Sequence, residues 1–102
     1  MESIMQQDRG TCYLCGKSPY WTKNGIYNGL ETHHVFGGAK NRKNSEMYGL
    51  KVYLHGIGCH REGRESAHQC KATRLELQRK AQCKFEEVYG EGFEKIFGGN
   101  YK

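Results

Sequence analysis

Cys12-Tyr13-Leu14-Cys15 sets two thiols two residues apart near the start of a 102-residue chain, and this spacing limits the fold more than any other feature. CysXXCys is the spacing at which one tight turn offers two sulfurs to a single zinc ion. A chain this short buries a modest core and commonly relies on a metal, a disulfide or a partner. Hydrophobic residues are 36% of the chain, and seven Tyr and four Phe carry much of that core, so a staple has something to add. Cysteines number five, an odd count that forbids complete internal pairing. The opening residues carry no apolar leader, and no stretch approaches the ~20 apolar residues of a membrane span. The expectation is therefore a cytoplasmic chain, where reducing conditions favour metal-bound or free thiols over disulfides.

Cys59 and His55, four residues apart, supply the other half of a site. Cys12, Cys15, His55 and Cys59 make a closed Cys3His set for a structural zinc ion, joining the N-terminal knuckle to the start of a helical region. Ordinary buried or free thiols are the alternative that spacing leaves open. Cys70 falls on the apolar stripe of a helix and is expected in the core. Cys83 lies off that stripe and has no assigned role.

The chain divides into a polar, frayed N-terminus over residues 1–11 and a single domain over 12–102. Pro19, Asn24, Gly25, Asn28 and Gly29 mark residues 18–29 as a turn-rich hairpin or loop. Tyr20, Trp21 and Tyr27 within it suit the covering of a small core better than the stacking of bases. Residues 30–36 form a strand, and residues 37–45 a basic, flexible, glycine-led loop. Leu50 to Leu54 alternate in period two, the pattern of a half-buried strand. Ala67, Cys70, Leu77, Ala81, Phe85 and Val88 step along one stripe of a helix over 65–89, with Arg74 as its one charged member. Phe93 to Phe97 add a short helix before Gly98-Gly99.

Five histidines are present. Their arrangement says more than their number: an adjacent pair, His33 and His34, on a strand, His60 directly after Cys59, and His68 near a helix start. Phosphodiester hydrolysis needs a deprotonated water, stabilised charge at phosphorus and help for the leaving oxygen. Neutral imidazole suits the first task near pH 7. A divalent metal suits the other two, and imidazoles hold such a metal well. A surface pair with no function is the plainer account of His33-His34 taken alone.

Taken together, CysXXCys, Glu31-Thr32-His33-His34-Val35, Tyr48-Gly49-Leu50-Lys51-Val52-Tyr53-Leu54-His55 and Cys59-His60 resemble the HNH endonucleases. More narrowly, the chain is similar to small phage and prophage HNH proteins of bacteria, as is its tail from Phe93 to Tyr101. The resemblance runs from about Cys12 to the C-terminus. It implies an α+β, ββα-metal fold of treble-clef type, a hairpin plus a long C-terminal helix supported by a zinc knuckle. It implies His34 as general base, His33 and His60 as ligands of a catalytic divalent metal, and His68 as a third ligand. All three are imidazoles, which suit Zn2+, Ni2+ or Mn2+ better than Mg2+. Gly49 stands where the motif has its asparagine, leaving Asn41 or Asn44 to substitute. The family's usual CysXXCysHis is stretched here to His55-Gly56-Ile57-Gly58-Cys59-His60.

Two geometric conditions follow. Neighbouring strand residues point to opposite faces, so His33 and His34 can share a site only at a strand end, bulge or twist. His60 and His68 would lie about 12 Å apart along a single helix, so the chain must loop back near Gly63 if both bind one ion. The formal charge of +5 favours an anionic partner, and DNA is the partner the resemblance implies. Lys40, Arg42 and Lys43 in the basic loop, with Arg61 and Arg64 beside His60, are the expected phosphate contacts. A homodimer or a phage protein is a further partner that fits. Two rivals to metal-dependent cleavage stand: a non-catalytic zinc-binding DNA module, and a phage structural or adaptor protein.

Overall fold

The computed structural model describes residues 1–102 as a small α+β fold: two short antiparallel hairpins, then a long helix toward the C-terminus. The order is β1 (Tyr20–Trp21), β2 (Tyr27–Asn28), β3 (Leu30–His34), α1 (Ala39–Tyr48), β4 (Lys51–His55), α2 (Lys71–Tyr89) and α3 (Phe93–Phe97). β1 pairs with β2, and β3 with β4 in a register that sets Leu30 opposite His55 and His34 opposite Lys51. No helix is long and apolar enough to cross a membrane.

The segment between the paired strands is a helix, not a flexible loop. α1 carries Lys40, Arg42 and Lys43 on exposed positions. It lacks an apolar stripe, so periodicity gave no sign of it; tertiary hydrogen bonds hold it instead. Buried Ser45 Oγ donates to the Phe36 carbonyl and accepts from the Phe36 N–H, both at 3.1 Å. Asn41 and Asn44 donate to the Phe97 and Ile96 carbonyls of α3. Both asparagine side chains thus tie α1 to α3. The helix ends at Gly49, whose φ of 74° is left-handed. A Cβ there would also meet the Glu2 carbonyl oxygen at 2.5 Å, so this position is closed to side chains twice over.

The N-terminal residues are not frayed. Ile4 N–H donates to the Gly49 carbonyl at 2.9 Å, Ser3 Oγ to the Lys51 carbonyl, and Tyr13 N–H to the Tyr53 carbonyl at 2.8 Å. The Gln6 side chain accepts from Tyr53 N–H. Polar side chains thus satisfy the outer edge of β4 where a further strand would otherwise pair. That cover is why β4 is buried along its whole length rather than half-buried.

α2 begins at Lys71, six residues later than the apolar stripe predicts. Residues 60–70 are instead a run of turns, with Gly63 at φ 104°. Ala67, Leu77, Ala81 and Phe85 of the stripe are buried, Cys70 is only partly so, and Val88 is exposed. Arg74 donates to the carbonyls of Ala67 and His68, fastening the turns to the helix. Arg64 lies exposed on those turns.

All four phenylalanines are buried. Phe36 meets Phe93, Phe97 and Tyr101, and Phe85 meets Phe93 at a ring separation of 5.5 Å. Tyr48 of α1 and Tyr89 of α2 flank Phe85. The first hairpin takes no part in this core: Trp21 is 69% exposed and stacks only on Tyr27, itself exposed, while Tyr20 is exposed as well. These three aromatics do not cover the core; the four Phe do so without them.

Phe85→Ala removes the ring that α1, α2 and α3 share. It is expected to cost about 3–5 kcal/mol, read from the urea midpoint; a loss below about 1 kcal/mol would contradict this packing.

Candidate metal centres

Backbone geometry first brings the sulfurs together. In the knuckle, Cys12 N–H donates to the Lys17 carbonyl and Gly16 N–H to the Cys12 carbonyl, closing a turn that holds Cys12 and Cys15 on one side. His55 ends β4, and Cys59 follows a glycine-rich turn. The stretched spacing is absorbed by Gly58 at φ 94° and by Asn28. The buried Asn28 side chain accepts from Ile57 N–H and donates to the Ile57 carbonyl, tying that turn to the first hairpin.

The ligand atoms of Cys12, Cys15, His55 and Cys59 all lie within 4.8 Å of one another. The set expected from spacing is assembled, and it suits a structural metal such as zinc. Tetrahedral Zn2+, with Zn–S about 2.3 Å and Zn–N about 2.0–2.1 Å, keeps its ligand atoms roughly 3.3–3.8 Å apart. Cys15 Sγ and His55 Nδ1 are 3.2 Å apart, and His55 Nε2 sits 2.9 Å from the Ser18 carbonyl. A proton on Nε2 donated to that carbonyl leaves the Nδ1 lone pair facing the sulfurs, the arrangement a metal-bound imidazole requires.

Electrostatics say the same. Burial pushes the Cys12 thiol up, but the N–H groups of Cys15, His55 and Leu14 and the neighbouring Cys59 more than offset this, bringing it down to about 7. Burial and the neighbouring Cys12 and Cys15 push Cys59 up to about 12. One thiolate forms readily and the next is opposed, a conflict that a bound cation removes.

The second group is made by the turns of residues 59–68. Ala67 N–H donates to the Cys59 carbonyl at 2.7 Å and His68 N–H to the His60 carbonyl at 3.0 Å, so the chain does loop back. The ligand atoms of His33, His60 and His68 lie within 4.8 Å of one another. His60 Nε2 faces His68 Nε2 at 3.0 Å, and the His33 ring meets both. Burial holds His33 down to about 3, with His60, His68 and His34 adding to the effect. Burial lowers His68 as well, with help from His60 and Arg74. The three rings thus bring one nitrogen each close enough to share a divalent cation.

Glu31 completes this group and was not singled out in the sequence. Its carboxylate lies 2.7 Å from His60 Nδ1 and takes two hydrogen bonds from Arg61, each 2.7 Å. Donation from His60 Nδ1 leaves Nε2 free for an ion. The Arg61 hydrogen bonds and the His60 contact hold the Glu31 carboxyl down to about 2 against burial. Arg61 is thus engaged by Glu31 and is not a free phosphate contact, and the pair is exposed enough to orient more than it stabilises. A signal was available: Glu31 is two residues before His33, on the same strand face.

His34 lies outside both groups. It is the last residue of β3, where strand alternation sends it away from His33, and its Nε2 sits 2.9 Å from Glu46 Oε1. Glu46 in turn accepts from buried Lys51 Nζ at 2.8 Å. Lys40, Arg42, Lys43 and Arg64 form no ion pair.

Two outcomes follow. Chelation is expected to lower the melting temperature by more than about 10 °C, with zinc restoring it, and Cys59→Ser is expected to lose one equivalent of metal; unchanged melting on chelation would sink the sulfur site. Hydrogen bonds from Lys51 and then His34 hold Glu46 at about 2 against 4.5 for the free side chain, so the unfolded chain binds more protons between those values. The stability from Glu46 is complete above about pH 4.5 and lost as pH falls through about 2. Glu46→Gln should flatten that part of the stability–pH curve in urea titrations.

Comparison of the chain with protein-family models, with curated proteins and with solved structures finds no match, so the two ligand groups stand on their own chemistry.

Proposed function

We propose that the protein is a metal-dependent DNA endonuclease of the HNH type. One observation carries the reading: three imidazoles, His33, His60 and His68, converge with their ligand atoms within 4.8 Å. The strand pair β3–β4 and the later helix α2, with the sulfur group beside them, support a ββα-metal arrangement. Ser45, bonded both ways to the Phe36 backbone, ties α1 to the end of β3, a part that the resemblance gives to the motif's asparagine.

His33, His60 and His68 would hold the divalent ion, with Glu31 orienting His60. When bound, such an ion supplies Lewis acidity at the phosphate and the leaving oxygen. His34 takes a proton from water. The hydroxide attacks phosphorus, the bond from phosphorus to the 3′ oxygen breaks, and that oxygen is protonated from solvent. The product carries a 5′ phosphate. Lys40, Arg42 and Lys43, exposed along α1 and without ion partners, provide sequence-independent contacts to the backbone, and Arg64 adds a fourth cation from the turns. The sulfur group would hold zinc as a structural staple.

A non-catalytic zinc-binding DNA module is the second reading, favoured by Gly49 at the asparagine position. Plasmid nicking separates the two. Metal-stripped protein is supplied with Mg2+, Mn2+, Ni2+ or Zn2+, wild type beside His34→Ala. Wild type is expected to cut with at least one metal, and His34→Ala to fall by about 100-fold or more with fold and metal content unchanged. DNA binding without cleavage under any metal would favour the second reading. Replacing Lys40, Arg42 and Lys43 together by Gln is expected to reduce the slope of log affinity against log salt by about 2–3 on duplex DNA; an unchanged slope would remove α1 from the interface.

A further inference from the structure

Resting on the nuclease reading, we infer that Glu46 is the positioning residue that fixes His34 as its Nε2–H tautomer and so presents the Nδ1 lone pair to water. Four observations carry this. His34 Nε2 lies 2.9 Å from Glu46 Oε1, and a carboxylate only accepts, so the shared proton sits on Nε2. Nδ1 of His34 makes no hydrogen bond within the chain, while Nε2 is the ring's one engaged atom. The carboxylate is itself held: its other oxygen accepts from Lys51 Nζ at 2.8 Å, and Lys51 is buried directly across the strand pair from His34. Last, Glu46 shares α1 with Ser45, whose two hydrogen bonds to Phe36 fix that helix against the end of β3.

The arrangement has a chemical consequence. An imidazole free to turn divides its time between two tautomers and several ring orientations, and only one combination places a basic nitrogen toward a water. A carboxylate on Nε2 removes the others. When Nδ1 takes the proton from water, the ring becomes an imidazolium whose Nε2–H is already bonded to an anion, so the charge forms where it is stabilised. Lys51 keeps the carboxylate aimed at the ring. Glu46 touches neither substrate nor ion and acts only through His34.

The test has two arms on the full-length, metal-reconstituted protein. Nitrogen-15 NMR of the histidine rings at pH 8 reads the tautomer directly. Wild type is expected to hold His34 as Nε2–H, and Glu46→Ala to return it to a mixture. Steady-state cleavage of a plasmid reads the second arm: Glu46→Ala is expected to lower kcat by about 10- to 100-fold with KM unchanged, and Glu46→Gln, which keeps an acceptor oxygen, to recover most of that loss. A wild-type His34 protonated on Nδ1, or a Glu46→Ala variant that cuts at the wild-type rate, overturns the inference. A rise in KM at constant kcat also overturns it, since it marks a contact to substrate. Wild type that holds the Nε2–H tautomer yet cuts no DNA overturns the nuclease reading, and with it any catalytic part for Glu46, while leaving the contact intact.

Discussion

Three sulfurs and an imidazole drawn from residues 12, 15, 55 and 59 meet around one point, and most of the chain is routed to let them do so. The knuckle must lie against the end of β4. The turn after β4 must bend sharply enough to return Cys59 within four residues. The first hairpin must supply Asn28 to hold that turn. The aromatic core built on Phe36, Phe85, Phe93 and Phe97 lies on the helical side and does not reach the first hairpin. The first hairpin and the turn after β4 are left to be held by polar bonds and by whatever the sulfurs bind.

The strand pair divides the chemistry as well as the structure. Residues directly opposite on an antiparallel pair share a face, so Glu31 and His33 lie with Leu54 and Val52, while His34 lies with Lys51. The three-imidazole group therefore gathers on the face that Glu31 shares, and the Glu46–Lys51 pair serves the other. Adjacent residues of one strand are thereby given different neighbours, His33 buried among imidazoles and His34 set against a carboxylate.

The grouping of these residues was legible in the sequence, the sulfur set in residue type and spacing and the imidazole set through the family resemblance. Cys12, Cys15, His55 and Cys59 met as expected, and so did His33, His60 and His68 once the chain looped back at Gly63. What was not legible depended on long-range bonds. α1 has no apolar stripe and is held by Ser45, Asn41 and Asn44 reaching distant carbonyls. The N-terminal residues looked frayed because Ser3 and Gln6 bind through side chains rather than through a strand pattern. The apolar stripe runs past the start of α2 because Ala67 and Cys70 continue it on turns, where Gly63 has a positive φ. Glu46 carries no mark in the sequence, because a carboxylate that serves an imidazole twelve residues away looks like any other surface acid, whereas Glu31 is marked by its place two residues before His33.

Cys59 and His60 are joined by a single peptide bond, yet each belongs to a different ligand group. Whatever fills the sulfur group therefore sets the position of a ligand in the imidazole group, with no hinge between them to absorb a mismatch. Assembly then has an order. A chain newly made in a zinc-poor cell would carry a slack turn at residue 59 and a misplaced imidazole at residue 60. Under the proposed function, an ion held by the sulfurs would set the geometry that the imidazole group needs before it could bind its own.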